Sequence, residues 1–448
     1  VELEDETCRG CTICVTACPV EAIRVYKGKA HILEEKCIDC GQCIRICPHK
    51  AKYAKSNTLE DIGSYSRAVA LVAPAWYTQF NEKYSRRSIR AALCALGFSA
   101  VCDVADAAAE ITCQSAAYMR DYLENPANIR PVISSSCPAV VKLIQIRFPS
   151  LIENLLPIIP PAELAARYIR NSNAWGTEQN NGEKTGIFFL SPCPAKITVA
   201  RSPLGYHQSE IDGVLTIQNT YLPVLNALKS LPPEIKTAAS PVDTTDILTP
   251  LNQTWCTASG EAECLDQVLR AAGTDLKWVN ASGISQIVPL LEAIEDGQLS
   301  AYDFVELSTC GGGCLGGPLT INPSPVAEAQ LRRRIRSQKI QPHNQQAKED
   351  AIALLAKSDY KALLWEKEVF PRPSQLLSPD FSKARKMMEE IENVISQLPG
   401  LDCGSCGSPN CRALAEDIVK KKAKIEDCVI ILKAKYEELL FGEGHGKS

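Results

Sequence analysis

Two blocks near the start of the chain, CRGCTICVTACP at residues 8–19 and CIDCGQCIRICP at 37–48, repeat one spacing, C-x2-C-x2-C-x3-C-P. With this spacing three thiolates on one loop grip a 4Fe-4S cube, while the fourth reaches across to the cube of the other block. The pattern predicts Cys8, Cys11, Cys14 and Cys47 on one cluster and Cys37, Cys40, Cys43 and Cys18 on the other, with Pro19 and Pro48 ending the loops. Two such clusters carry electrons but make and break no bonds. Something further along the chain has to use them.

The first fifty or so residues resemble bacterial two-cluster ferredoxins. The whole chain has 448 residues, room for two to four domains and at least one large core. Apolar residues make up 45% and charged residues 22%. This is a globular composition, and no run reaches the roughly eighteen apolar residues of a membrane-spanning helix. VELEDETC has no basic patch followed by an apolar segment, so no signal peptide is expected. A formal charge of -4 without a basic stripe argues against nucleic acid as a partner. Cysteine is the outlier, with 21 residues in a chain expected to be cytoplasmic, where structural disulfides are rare. Metal sites are the leading explanation.

From about 58 to 325, short apolar runs such as RAVALVAPAW, GIFFLSPC and YDFVELSTC alternate with longer helical patterns. This order predicts an α/β arrangement of two largely parallel sheets flanked by helices, within a multidomain α+β chain. The expected division is a two-cluster domain at 1–57, a central domain at 58–372 whose 326–372 stretch is a helical wrap, and a small helical iron-sulfur domain at 373–448. Arg332, Arg333, Arg334 and Arg336 read as a solvated helix face. Cys403, Cys406, Cys411 and Cys428 follow C-x2-C-x4-C-x16-C, which fits a structural zinc site or a third 4Fe-4S cluster. The spacing is similar to the small iron-sulfur domain of corrinoid and carbon monoxide dehydrogenase proteins, which favours the cluster. The nearby Lys420, Lys421, Lys422 and Lys424 read as solvated charge.

The stretch ELSTCGGGCLGGP at 306–318 sets Cys310 and Cys314 around three glycines. Alone, it suits a redox disulfide, half of a zinc site or a tight turn. Cys137 in ISSSCPAVV and Cys193 in FLSPCPAK also follow predicted strands, and loops at the carboxyl ends of parallel strands converge on one crevice. Four thiolates gathered there would complete another 4Fe-4S site, and the glycines would let the backbone wrap closely around it. Cys94, Cys102, Cys113, Cys256 and Cys264 have no ligand spacing and read as small buried hydrophobes.

The segments SSSCP (134–138), SPCPAKITV (191–199) and ELSTCGGGCLGGP are similar to the three signatures of iron-only, FeFe-type hydrogenases, T-S-C-C-P, M-P-C-x-x-K-x-x-E and E-x-M-A-C-x-x-G-C-x-x-G-G-G. LVAPAW, IDGVLT and ASGISQIVPLLEAI resemble the family's flanking runs, so the resemblance covers residues 1 to about 325. It implies an H-cluster: a cube held by Cys137, Cys193, Cys310 and Cys314, with Cys314 bridging to a two-iron unit that carries carbonyl, cyanide and dithiolate ligands. Lys196 would then donate a charge-assisted hydrogen bond to a cyanide, and Ala73, Pro74 and Ala75 would line the pocket. The implied reaction interconverts H2 with two protons and two electrons. The implied partners are hydrogenase maturation proteins and a ferredoxin or another redox or signalling protein, with the oligomeric state left open and a homodimer among the options.

Four departures sit at the chemistry. Ser136 replaces the family's proton-shuttling thiol; a thiol has a pKa near 8.5, whereas an alkyl hydroxyl is a far weaker acid. Val199 stands where a glutamate closes the second signature, and QSAAYM after DAAAEITC lacks the expected carboxylates. Ser191 and Ser308 replace methionines, which is expected to make the shell around the two irons more polar and shift its potential, and CLGGP is shorter in glycine. Acid-base assistance is typically worth about 10² to 10⁴ in rate, so low turnover is expected. That suits hydrogen sensing and resembles the sensory branch of the family. Two rivals are a hydrogenase-like iron-sulfur carrier without the two-iron unit and an electron-relay protein with structural middle cysteines. Lys196 and the complete N-terminal pair favour the enzyme.

Overall fold

The fold comes from a computed structural model that describes residues 1–172, 185–232, 252–337, 359–372 and 377–441. The chain divides into two compact units: residues 1–54 together with 372–448, and residues 55–371. The two cysteine-rich ends therefore share a unit.

In the first unit, β1 (Glu2–Leu3) pairs antiparallel with β4 (Lys52–Tyr53), and β2 (Ile23–Tyr26) forms a hairpin with β3 (Lys29–Ile32). Its C-terminal part is helical, with Phe381–Gln397, Cys411–Val419 and Val429–Phe441. Val15, Ile23 and Ala30 form a small core against which Cys14, Cys18, Cys43 and Cys47 pack.

Apolar residues predominate in the strands of the second unit, the composition of a sheet covered on both faces. β5 (Arg67–Val72), β6 (Ala100–Asp103), β8 (Thr185–Ser191) and β9 (Gly213–Thr216) form one sheet in the order β6-β5-β8-β9, every pair parallel. β7 (Val132–Ile133), β10 (Trp278–Ser282) and β11 (Phe304–Ser308) form a second parallel sheet in the order β10-β11-β7. Trp76, Phe80, Leu93 and Phe188 fill the core beside the first sheet, with Tyr65 meeting Phe188 edge to face at 5.4 Å. Parallel pairing points the carboxyl ends of β5 and β8 the same way, and likewise those of β7 and β11. The signature loops leave from those ends.

Two surface readings change. Cys94 is exposed and Cys102 half-buried, while Cys113, Cys256 and Cys264 are buried. Arg334 is not solvated: its guanidinium donates to the Tyr84 and Phe80 carbonyls at 3.1 Å each, because helix Ser324–Ser337 turns that side inward. Arg332 and Arg333 stay exposed, paired with Glu328 and Glu82. Of the wrap expected at 326–372, residues 338–358 lie outside the described residues.

Candidate metal centres and active site

A cavity in the first unit is lined by Cys8, Cys11, Cys14 and Cys47, with Gly10 and Pro48 beside them. These are three thiols of the first block and the last thiol of the second. The other four crowd one another: burial first, then the charges of Cys37 and Cys18, push Cys43 up to about 12. Cys40 is also raised, by burial above all, with Cys18, Cys43 and Cys37 adding to it. A metal bound there would have to displace these protons. The repeat is also geometric. Ala22 N donates to Cys18 Sγ at 3.2 Å and Ala51 N to Cys47 Sγ at 3.3 Å. Left-handed residues Thr12 and Gly41 start the short helices Ile13–Thr16 and Gln42–Ile46.

At the other end, Cys411 opens helix Cys411–Val419 under an Asn410 cap that accepts from Ala413 N at 2.7 Å. Asp402 fixes the loop by accepting from Cys411 N at 2.7 Å. Cys406, Cys411 and Cys428 pack together with Leu414 and Ile391, and Cys406 is raised by burial, with Cys428 and Cys403 contributing. Among the described residues no three His, Cys, Asp or Glu side chains stand close enough to hold a single metal ion. Thiols on a cube stand farther apart, each on its own iron.

The central site is assembled from loops after β7, β8 and β11. In each loop a serine hydroxyl bonds the backbone two residues on, accepting from an N–H in the first two and donating to a carbonyl in the third. Ser134 Oγ accepts from Ser136 N at 3.2 Å, Ser191 Oγ accepts from Cys193 N at 3.2 Å, and Ser308 Oγ donates to the Cys310 carbonyl at 3.4 Å. The hydroxyls of Ser191 and Ser308, expected to make the iron shell more polar, thus bond the backbone of the cysteines two residues on. Pro138 and Pro194 at first helical positions then leave Cys137 and Cys193 as helix caps.

The side chains meet. Thr309 Oγ1 lies 3.9 Å from Cys137 Sγ and 4.0 Å from Cys310 Sγ, and Lys196 Nζ donates to Cys314 Sγ at 3.8 Å. Burial, then the charges of Cys310 and Cys137, raise Cys193. Burial would lower the Lys196 ammonium, but negative charge on Cys314, Cys193 and Cys137 outweighs it and the pKa rises. Thr309 escaped the sequence reading because a hydroxyl between ligands has no spacing of its own. Ala73 caps helix Pro74–Tyr77, and Ala75 packs with Cys256 and Leu315 in a cluster that Cys314 touches.

Gly313, and Gly317 beyond the second cysteine, are required by packing against protein rather than by a cluster. At Gly313, with φ +69°, a Cβ would lie 2.5 Å from the Thr257 backbone, and at Gly317 it would lie 2.5 Å from the Pro192 carbonyl. Protein packs against protein there, and the second contact locks the Cys193 loop to the Cys314 loop. Only beside Gly311, of these three, does a Cβ position face open space, with nothing within 4 Å.

Two carboxyls also escaped the sequence reading. Ser134 Oγ donates to Glu261 Oε2 at 2.5 Å, and the Ser136 hydroxyl bonds the same carboxyl. Glu306 Oε2 accepts from Ala262 N at 2.8 Å. Burial raises both acids, and Glu306 rises further because Glu261 is its neighbour. Val199, which stands where the second signature has a glutamate, is buried.

A family model described as Iron only hydrogenase large subunit, C-terminal domain, matches residues 66–318, more than half of the 448. The chain belongs to the iron-only hydrogenase family. Around its hydrogenase domain, a 4Fe-4S dicluster domain model matches residues 1–48 and an Fe-S cluster model matches 398–430. A variant of the FeFe-hydrogenase HydA1 from Chlamydomonas reinhardtii superimposes with TM-score 0.51 and 15% identity, covering 70% of this chain and 98% of that one. A HydA(deltaEFG) structure, described as revealing stepwise H-cluster assembly, gives TM-score 0.51 and 15% identity over 70% of this chain and 98% of its own. Identity this low speaks for the hydrogenase fold alone. An uncharacterized protein of Methanocaldococcus jannaschii is 36% identical over 56 residues, 12% of this chain and 25% of that protein. A component of the ion-translocating oxidoreductase complex of Methanosarcina acetivorans is 52% identical over 44 residues, 10% of this chain and 17% of its own. The chain therefore spans a quarter or less of the curated relatives it matches. No helix among the described residues is long and apolar enough to cross a membrane.

Proposed function

We propose that this hydrogenase-family chain interconverts H2 with protons and electrons slowly, in a sensing or regulatory role, and relays electrons through two N-terminal 4Fe-4S sites and one at the C-terminus. The observation that carries the reading is the meeting of Cys137, Cys193, Cys310 and Cys314 around one ammonium, Lys196, which touches Cys314 Sγ at 3.8 Å. The residues fit an H-cluster. Four soft thiols suit a cube, and the cation suits an anionic group held beside Cys314. When bound, that group supplies the iron chemistry that splits or forms hydrogen.

The remaining work falls to side chains. Lys196 would supply a charge-assisted hydrogen bond that holds the group's orientation. Ser136 is too weak an acid to shuttle protons alone, but its hydroxyl is bonded to Glu261. Burial lets Glu261 keep its proton to higher pH than an exposed glutamate would. Glu261 thus holds the proton and Ser136 relays it, with Glu306 a second buried acid beside Glu261. A hydroxyl relay fed by buried acids is slower than a thiol, which is why we assign a sensor rather than a bulk producer. The partner in this reading is a ferredoxin or another redox or signalling protein.

The test exposes the matured full-length chain to H2 with no other reductant. The iron-sulfur sites should reduce slowly and reoxidise when the gas is removed. A chain of full iron content that stays oxidised would leave only an iron-sulfur carrier or an electron relay.

A further inference from the structure

The two ends of the chain meet through a buried ion pair. Arg24 Nε and Asp417 Oδ2 are 2.5 Å apart, with side chains only 7% and 15% exposed. Arg24 lies on β2, six residues after Cys18, and Asp417 lies on the helix that Cys411 opens. The guanidinium also donates to the Glu21 carbonyl at 2.9 Å, which ties it to the turn that follows Cys18.

Three further contacts join the same two loops, each beside a thiol. Val25 N donates to the carbonyl of Gly407, the residue after Cys406, at 2.8 Å. Asn410, just before Cys411, donates through Nδ2 to Glu21 Oε1 at 2.7 Å. A Cβ on Gly404, between Cys403 and Cys406, would come within 2.6 Å of the methyl of Thr16, between Cys14 and Cys18. Gly407 has φ +89°, and a Cβ there would strike the Val25 carbonyl, so only glycine lets the loop lie on β2. A buried ion pair is weak support for stability, because desolvation offsets its attraction. Its best-attested use is to fix one arrangement among several, and the arrangement fixed here sets two thiol sites side by side.

We propose that the C-terminal site and the N-terminal site closed by Cys18 are built as redox neighbours, positioned by Arg24 and Asp417. The transfer served is one electron, lost by one site and gained by the other, with no atom or proton moved. The proposal rests on the reading that both thiol sets hold 4Fe-4S clusters.

The test uses the full-length chain loaded anaerobically with iron and sulfide, with iron and zinc counted first, and then reduced with dithionite. Cys8→Ala and Cys11→Ala together remove the remaining N-terminal site. Low-temperature electron paramagnetic resonance should then show the two remaining clusters as a broadened, spin-coupled pair. Arg24→Gln and Asp417→Asn, at unchanged iron content, should lose that coupling and leave two independent signals, whereas Arg24→Lys should keep it. Should the background variant fail to fold, the same comparison in the chain with all sites reads the microwave power at which the C-terminal signal saturates, which should fall in Asp417→Asn. Uncoupled signals in the parent chain, or coupling that survives both Arg24→Gln and Asp417→Asn, overturn the proposal. Zinc in place of iron at the C-terminal thiols overturns the cluster reading beneath it, and the metal count shows this before any spectrum is taken.

Discussion

The terminal sites and the central site use the same ligand in opposite ways. At the ends, each set of thiols comes from one or two short runs, and backbone N–H groups such as Ala22 and Ala51 aim at the sulfurs. The central site draws its thiols from loops after β7, β8 and β11 and adds an ammonium that donates to Cys314 Sγ and two buried acids, Glu261 bonded to the Ser134 hydroxyl and Glu306 to the Ala262 N–H. Caging an electron carrier needs only a loop. Holding a cation and a proton near a reactive group needs a large core that keeps water away, and the two parallel sheets supply it.

The sharpest way to break this contrast is to remove one thiol from each kind of site. Cys314→Ala should abolish hydrogen-dependent reduction while dithionite still reduces the N-terminal sites. Cys11→Ala should do the converse, sparing hydrogen–deuterium exchange but blocking electron exit. Equal losses in both assays from both variants would mean that the sites are not specialised.

A smaller effect is expected on the proton side. Glu261→Gln should lower turnover by about 10²-fold, and Ser136→Cys should raise it, both with cofactor content unchanged. Rates that move with neither change would place proton delivery elsewhere. Lys196→Ala should weaken retention of the two-iron unit by about 10- to 100-fold while the cube remains, read as iron per chain against infrared intensity.

The smallest effect is on stability. Glu306 has a folded pKa above the ordinary 4.5, so the folded chain keeps a proton that the unfolded chain has released. Stability is therefore lost as pH rises from about 4.5 through the folded value. Glu306→Gln should remove that loss and stabilise the chain above this window by on the order of 1 kcal/mol. Melting curves of the two chains that run parallel across pH would contradict a buried, protonated Glu306.

What the sequence revealed follows the same divide. The twin N-terminal blocks were readable because ligand spacing is a local property. Strand-and-loop reading with the family signatures also brought Cys137, Cys193, Cys310, Cys314 and Lys196 toward one place, since parallel sheets send such loops to a common end. Glu261 stayed hidden because its partners Ser134 and Ser136 are more than 120 residues away and nothing in ASGE marks it. Thr309 was overlooked because its neighbours are the ligands themselves. The direction of the Ser191 and Ser308 hydroxyls was not legible, because a substitution pattern gives polarity but not direction, and both turn toward the backbone. Arg334 was taken for surface because a run of four arginines hides which one faces inward.

The central claim is that three distant loops hold one hydrogen-responsive core. Infrared spectra of the matured chain under H2 and under inert gas test it most directly. The account predicts bands of iron-bound carbonyl and cyanide that shift when hydrogen is admitted. A fully iron-loaded chain with no such bands, or with bands that ignore hydrogen, would contradict it.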